Sequence, residues 1–341
     1  MDVSTLSKPS YSNACTNKAD KSPKIAVIIL NYNGKRHLDR LLDNAIESAL
    51  NQTYANFEVI FADNGSDDDS VDYVKNKYGN RTKVVAFGKN YGFCLGNNLA
   101  SQHVSANTKY LLFLNPDAVL SKNYCQELIK ILENDEKIGI IQGLERSDEG
   151  LALGGFLDSL GDGIVAFYDR MQSSATYPIL WVFGAAMIIR RNLFQEIQGF
   201  SPELFMYFDE ADLCIRALCR GYKCLSATNT SYYHLGGGIT SKVNWFGWYL
   251  IVRNRWILAL RYFPLMNIMK VGAFSALELF LNTAKSFSSD ERNRPRLMIK
   301  AIYSVFKNLK RELGIRRTYS PYRYNYMCFI VKKHSLRRVR R

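Results

Sequence analysis

The chain has 341 residues, is 47% hydrophobic and 22% charged, and carries a formal net charge of +14. These proportions exclude wholesale disorder and leave room for a sizeable core in one large domain or two modest ones. The charge points to an anionic partner: nucleic acid, a phosphorylated substrate or an acidic membrane surface.

The charge is unevenly placed. Residues 242–341 hold 22 Lys and Arg against 4 Asp and Glu, whereas residues 1–241 hold 23 against 27. A mildly acidic body precedes a strongly basic tail, and the two are read separately. Seven cysteines occur without a CxxC pair. That spacing favours buried thiols in a reducing compartment over a disulfide framework or a zinc site. Residues 1–23 are polar, lack an apolar run, and read as a disordered leader rather than a secretory signal.

Residues 24–30 (KIAVIIL) form a continuous β-branched run, as a buried parallel strand requires. Leu38, Leu41, Leu42, Ala45, Ile46 and Ala49 then recur at three- and four-residue steps, the mark of an amphipathic helix. Further strands are predicted at 57–62, 83–87, 110–114 and 139–142, with helices after 66 and over 124–134. Residues 88–96 form a Gly/Asn loop into a short helix, and 150–175 read as a Gly/Asp-rich excursion. A core strand at 181–190, helices at 192–197 and 209–220, a Gly-rich loop at 232–242 and a helical remainder complete the chain. Alternating strands and helices up to about residue 142 predict an α/β fold with a mostly parallel sheet flanked by helices.

Ligands bind such sheets at the carboxyl ends of the strands. Three polar clusters fall there: Asn31-Tyr32-Asn33, Asp63-Asn64-Gly65-Ser66 and Asn115-Pro116-Asp117. Asp117 can reach a cleft and hold a hard cation, which takes oxygen ligands and completes its shell with phosphates. An Asn-Pro-Asp turn is also an ordinary strand ending. Asp63 can accept from a ribose or a base edge, or simply cap a helix. Lys89 and the glycines around it could approach a phosphate, although the loop is neither a Walker nor a GxGxxG motif. Asp209-Glu210-Ala211-Asp212 opens a helix, where the dipole favours carboxylates. Asp209 and Asp212 share a face at i, i+3, and the three acids could divide into a cap, an arginine partner and a general base. His234 precedes a triple glycine suited to close backbone approach.

The order of these elements resembles the family 2 glycosyltransferases, inverting enzymes of the GT-A (Rossmann-like) fold. The motifs that carry the resemblance are IAVIILNYN (25–33), FEVIFADNGS (57–66), NYGFCLGNN (90–98), LFLNPD (112–117), GAAMIIRR (184–191), GFSPELFMYFDEADLCIR (199–216) and HLGGGIT (234–240). They span roughly 24–242, and their wording is similar to the rhamnosyltransferase-like branch. The resemblance implies a nucleotide-sugar pocket lined by Asn31, Asn33, Asp63, Gly65, Asn90, Gly92, Asn97 and Asn115. It implies Asp117 and His234 as holders of a divalent cation (Mg2+ or Mn2+). Asn115 stands where a full DXD motif has its first Asp. It implies Glu210 as the general base, with Asp209 as runner-up.

Three parts follow: a leader at 1–23, a glycosyltransferase domain at 24–242, and a basic, aromatic-rich helical extension at 243–341. Aromatic and basic residues over 245–262, the interrupted apolar stretch 263–281 and the Lys/Arg-rich end suit an anionic membrane surface. The implied activity is inverting transfer from a nucleoside-diphosphate sugar to a glycan or polyprenyl-linked acceptor in cell-surface polysaccharide or glycoconjugate synthesis. The implied location is cytoplasmic, peripheral on the inner face of the plasma membrane. Nucleic acid is not a partner under this reading, and no oligomeric state is implied. The alternatives are a basic nucleic-acid-binding protein, for which no recognised motif occurs, and a non-catalytic scaffold of the same fold.

Overall fold

The computed structural model describes residues 22–169, 174–236, 245–285 and 293–319. Strand β1 (Lys24–Asn31) is followed by helices α1 (Gly34–Leu38) and α2 (Arg40–Leu50), β2 (Phe57–Asp63), α3 (Ser70–Tyr78), β3 (Lys83–Ala86) and α4 (Gly92–Ser101). Then come β4 (Thr108–Leu114), β5 (Ala118–Leu120), α5 (Tyr124–Asn134), β6 (Ile138–Ser147), β7 (Gly150–Leu157), β8 (Gly163–Phe167), β9 (Thr176–Pro178) and β10 (Ala186–Arg190). Helices α6 (Arg191–Glu196) and α7 (Asp209–Cys219), with a 3-10 turn at Pro202–Leu204 between them, lead to β11 (Lys223–His234). Four helices close the described chain: α8 (Trp245–Tyr262), α9 (Leu265–Lys285), α10 (Arg294–Lys307) and α11 (Leu309–Thr318).

The main sheet runs β3-β2-β1-β4-β10-β6-β11-β5. Its first four strands are parallel, as the βαβ alternation predicts. Beyond them the sheet is mixed: β10 is antiparallel to both β4 and β6, β11 is parallel to β6, and β5 is antiparallel to β11. The expected mostly parallel sheet therefore holds for the N-terminal half only. Strand β1 explains its own sequence. Ile25, Val27 and Ile29 face the core under α2, α3 and α5, while Ala26 and Ile28 face the core under α4, α6, α7 and α8. Both faces are buried, so no polar alternation remains.

Three sequence expectations are corrected. Residues 150–167 are not a loop but the β7–β8 hairpin, whose glycines admit Trp181: a Cβ on Gly155 would lie 2.1 Å from its ring. The strand predicted over 181–190 is shorter, because Trp181 makes only an isolated bridge to Gly155. The loop expected from 232 begins later, since 223–234 form one long strand; residues 237–242 lie outside the described residues.

Helix α8 packs into the same core as the sheet, through Trp256, Ile257, Leu258 and Tyr262. These two aromatics therefore serve packing rather than an interface. At its end Arg261 is completely buried. Its guanidinium reaches Asp212 (2.8 Å), Glu312 (2.7 Å) and Glu203. Asp212 also accepts from Arg216, from Tyr262 Oη (2.6 Å) and from Ser201 Oγ (2.7 Å). The described cysteines are free thiols, and Cys94, Cys125, Cys214 and Cys224 are buried.

Candidate active site

A cleft of about 330 Å³ opens at the carboxyl ends of β1 and β4, the position the topology reserves for ligands. Its walls include Asn31, Asn64, Asn90, Gly92, Asn115, Asp117, Glu145, Asp209, Glu210 and His234. Seven of the predicted site residues are thus brought together with Glu210 from elements far apart in sequence.

Asn31 ends β1 and is fully buried. Its Nδ2 donates to Asp63 Oδ1 (2.9 Å) and Ser66 Oγ (3.2 Å), while its Oδ1 is buried without a hydrogen-bond partner. Asp63 sits behind this wall rather than in it, and its carboxylate accepts from Asn31 Nδ2 and from the Ser66 amide and hydroxyl. Asn33 also lies behind the wall; it is left-handed at φ 52° and its Oδ1 accepts from the Asp67 amide. Asn97 is turned into the packing of α4, where its Nδ2 donates to Phe93 O, and it does not reach the cleft.

Gly65 brings the 88–92 loop in: at φ 79°, a Cβ there would stand 2.4 Å from the Lys89 backbone. Asn64 then bonds that loop through Asn90 Oδ1, Gly92 O and the Tyr91 amide. Asn64 lines the cleft and is a site residue that motif reading passed over in favour of its neighbours. Lys89 is exposed and lies over the Tyr91 ring, away from the cleft. Gly92, at φ 76°, leaves room for Phe205, whose ring would be 2.5 Å from a Cβ. Gly92→Ala should therefore lower stability by about 1–3 kcal/mol, measured by urea unfolding.

Sheet register assembles the other wall. β11 pairs His234 with Ala118, next to Asp117, and Tyr232 with Glu145 on the opposite side. His234 Nε2 lies 3.4 Å from Asp117 Oδ1, and Nδ1 lies 3.2 Å from Glu145 Oε2, which Tyr232 Oη also contacts at 3.1 Å. Burial pulls the imidazole pKa down, but the two carboxylates outweigh it and lift it to about 9. Glu145 was invisible to motif reading because β6 was expected to end at Gln142. The available signal was a lone acid late in the apolar run IGIIQGLE. A carboxylate behind a histidine fixes its tautomer and orientation, the usual support of a metal-binding imidazole. Among the described residues no cluster of three or more His, Cys, Asp or Glu could hold a metal by itself. Asp117 nevertheless offers an oxygen donor and His234, once a cation displaces its proton, a nitrogen donor, with remaining positions left to phosphate oxygens, and this donor set fits a hard divalent cation.

The acids of α7 divide differently from the helical-wheel expectation. Asp212 turns into the ion cluster with Arg216 and Arg261, whereas Asp209 lines the cleft beside Glu210. Asp209 is buried, and burial together with the Glu210 carboxylate raises its pKa well above the usual range. Of the two, Asp209 is the buried acid and Glu210 the half-buried one, open to the cleft. The preceding turn has left-handed backbone at Phe205, Tyr207 and Phe208, conformations that need outside support. Asn254 of α8, fully buried, supplies it: its Nδ2 donates to the carbonyls of Leu204 (3.0 Å), Met206 (2.9 Å) and Tyr207 (2.8 Å). Asn254→Leu is expected to lower the urea midpoint, because the carbonyls of this positive-φ turn lose their donor and the turn before Glu210 is freed.

Residues 26–212 match the family model described as Glycosyl transferase family 2. The chain belongs to that family. It is a glycosyltransferase, and the match decides between this reading and the nucleic-acid reading opened by the basic tail. Rhamnosyltransferase WbbL of Escherichia coli is 26% identical over 216 residues, covering 58% of this chain and 78% of that protein. An N-acetylglucosaminyl-diphospho-decaprenol L-rhamnosyltransferase of Mycobacterium tuberculosis is 23% identical over 215 residues, covering 55% and 68%. Among solved structures, S. aureus TarS 1–349 in complex with UDP-GlcNAc superposes with TM-score 0.56 at 15% identity, covering 90% of this chain and 88% of that one. GalNAc-T7 with UDP, GalNAc and Mn2+ gives 0.57 at 14%, covering 87% and 58%. These likenesses establish a GT-A-like α/β fold for the glycosyltransferase. No helix among the described residues is long and apolar enough to cross a membrane.

Proposed function

We propose that this glycosyltransferase moves a rhamnosyl or other hexosyl group from a nucleoside-diphosphate sugar to a hydroxyl of a lipid-linked glycan, with inversion, in cell-surface polysaccharide or glycoconjugate synthesis. The observation that carries the reading is one cleft at the carboxyl ends of β1 and β4 lined by Asp209, Glu210, Asp117 and His234. The decaprenol-linked substrate in the name of the mycobacterial relative supports a polyprenyl-linked acceptor, and the UDP-GlcNAc bound to TarS supports a nucleotide-sugar donor. With such an acceptor the enzyme works peripherally at the inner face of the plasma membrane.

In this reading Asn31, Asn64 and Asn90 meet the nucleoside side of the donor, Asp63 braces Asn31, and Asn115 and Asp117 meet the diphosphate. Asp117 and His234 would hold the divalent cation, which neutralises charge on the departing nucleoside diphosphate when bound. Glu145 keeps His234 oriented. Glu210 takes the proton from the acceptor hydroxyl as that oxygen bonds to the anomeric carbon and the bond to the diphosphate breaks. Burial disfavours charge on Asp209, and the more open Glu210 takes the base role.

The test is transfer by the full chain from UDP-, dTDP- and GDP-sugars to detergent-solubilised polyprenyl-diphosphate-linked acceptors. Transfer from one donor is expected; no transfer and no donor hydrolysis with any of them would contradict the proposal. In calorimetry with Mn2+ present, Asp117→Ala should bind the donor nucleotide at least about tenfold more weakly, as loss of a charge-assisted contact implies. Equal affinity removes Asp117 from the site.

A further inference from the structure

Helix α9 is apolar on its outer side as well as on its inner one, where Val271, Ile268 and Leu279 pack. α9 runs antiparallel to α8 and turns polar groups toward it: Trp256 Nε1–H donates to Ser275 Oγ at 3.1 Å, and Glu278 pairs with Arg255 at 2.5 Å. The face turned to solvent is Leu265, Met266, Met269, Leu277, Phe280 and Leu281, with Leu265 and Phe280 each 70% exposed. An ordinary surface helix keeps its outer side polar. Beside it α10 exposes Ile299, Tyr303 and Phe306 among the exposed Arg296, Lys300 and Lys307. Among the described residues after 245 the only acids are Glu278 and Glu312, and both are drawn inward, to Arg255 and to Arg261 and Arg311. The described outer surface is therefore apolar and cationic, and its two carboxylates are both paired with arginines.

We propose that this α9–α10 face docks on an anionic phospholipid bilayer, the apolar stripe of α9 entering the interface and the α10 cations meeting the headgroups. Charge selects this occupant over a second copy of the chain. In a two-fold pair the α10 cations of each copy would face those of the other, whereas an anionic leaflet complements them. The face is also joined to the cleft. α8, which packs along α9, begins with the exposed Phe246, whose ring lies edge-on to Phe205 of the cleft wall at 5.5 Å. Docking there puts the cleft mouth on the helix that leads from the lipid surface. The inference deepens the lipid-linked-acceptor reading and rests on it for its purpose, yet docking is measurable with neither donor nor acceptor present.

The test is flotation of the full chain with vesicles of phosphatidylcholine alone and of phosphatidylcholine with about one third phosphatidylglycerol. The wild type should float with the anionic vesicles and far less with the neutral ones. The triple variant Met269→Asp, Leu277→Asp, Phe280→Asp should lose flotation by about tenfold or more. Its melting temperature and its nucleotide-sugar hydrolysis should hold, because these side chains face solvent and none of them lines the cleft. Variant flotation equal to wild type would overturn the proposal, since the tail's charges would then suffice. A wild type that ignores anionic vesicles, or that forms a dimer which the variant dissociates, would overturn it in favour of another occupant. Loss of flotation with hydrolysis retained upholds docking whether or not the acceptor assignment survives.

Discussion

Glu210→Gln is expected to reduce sugar transfer by about 10²–10⁴-fold while leaving nucleotide affinity near wild type, the cost of removing a positioned base. Asp209 and Glu210 share the cleft, but burial and the adjacent carboxylate push the Asp209 pKa up. With Glu210 as the base, Asp209→Asn should cost far less than Glu210→Gln. Turnover of the two variants, each measured beside calorimetric binding of the donor nucleotide, separates the roles. A larger loss in Asp209→Asn would transfer the base assignment to Asp209.

The second large effect lies outside the cleft. Asp212→Asn should destabilise the fold by about 3–5 kcal/mol, because it leaves Arg261 and Arg216 with an unbalanced buried charge. Against a total stability of roughly 5–15 kcal/mol this is a major fraction, and a lower urea midpoint is the readout. Burial alone would raise the Asp212 pKa, yet Arg216 and Arg261 hold it well below the usual carboxylate range. Its contribution is thus fully present above the unfolded value of about 4 and is lost as pH falls toward the folded value. The wild type should lose stability below about pH 4 more steeply than the variant, which has no such group to titrate. Because Glu312 of α11 joins the cluster through Arg261, Glu312→Gln should lower the midpoint in the same direction. That result would couple the C-terminal helices energetically to the start of α7.

The N-terminal half of the fold was legible because its strands are buried on both faces and punctuated by Asn, Asp and Gly. β1 and β4 could hardly be read otherwise. β7 was hidden by its own glycines, which serve Trp181 rather than a turn. β11 was hidden by Ser, Thr and Asn in the run KCLSATNTSYYH, whose partners lie in β5, β6 and β9, far away in sequence. The same non-local pairing explains the candidate site. Asp117, His234 and Glu210 stood out as residue types at strand and helix ends. The Glu145 contact depends on register between β6 and β11, which spacing along the chain does not encode. The separation of Asp209 from Asp212 depends on Arg261, 49 residues beyond Asp212, so a wheel drawn on α7 alone placed them together. For α9 the sequence displayed an apolar stretch with interrupting charges. Only the packing of Glu278 on Arg255 shows which side is turned outward.

The central claim is a single displacement in which Glu210 deprotonates the acceptor while the nucleoside diphosphate departs from the opposite face of the sugar. The anomeric configuration of the transferred sugar, read by NMR of the product and compared with the donor, tests it most directly. The account predicts inversion; a product that retains the donor's configuration would contradict it.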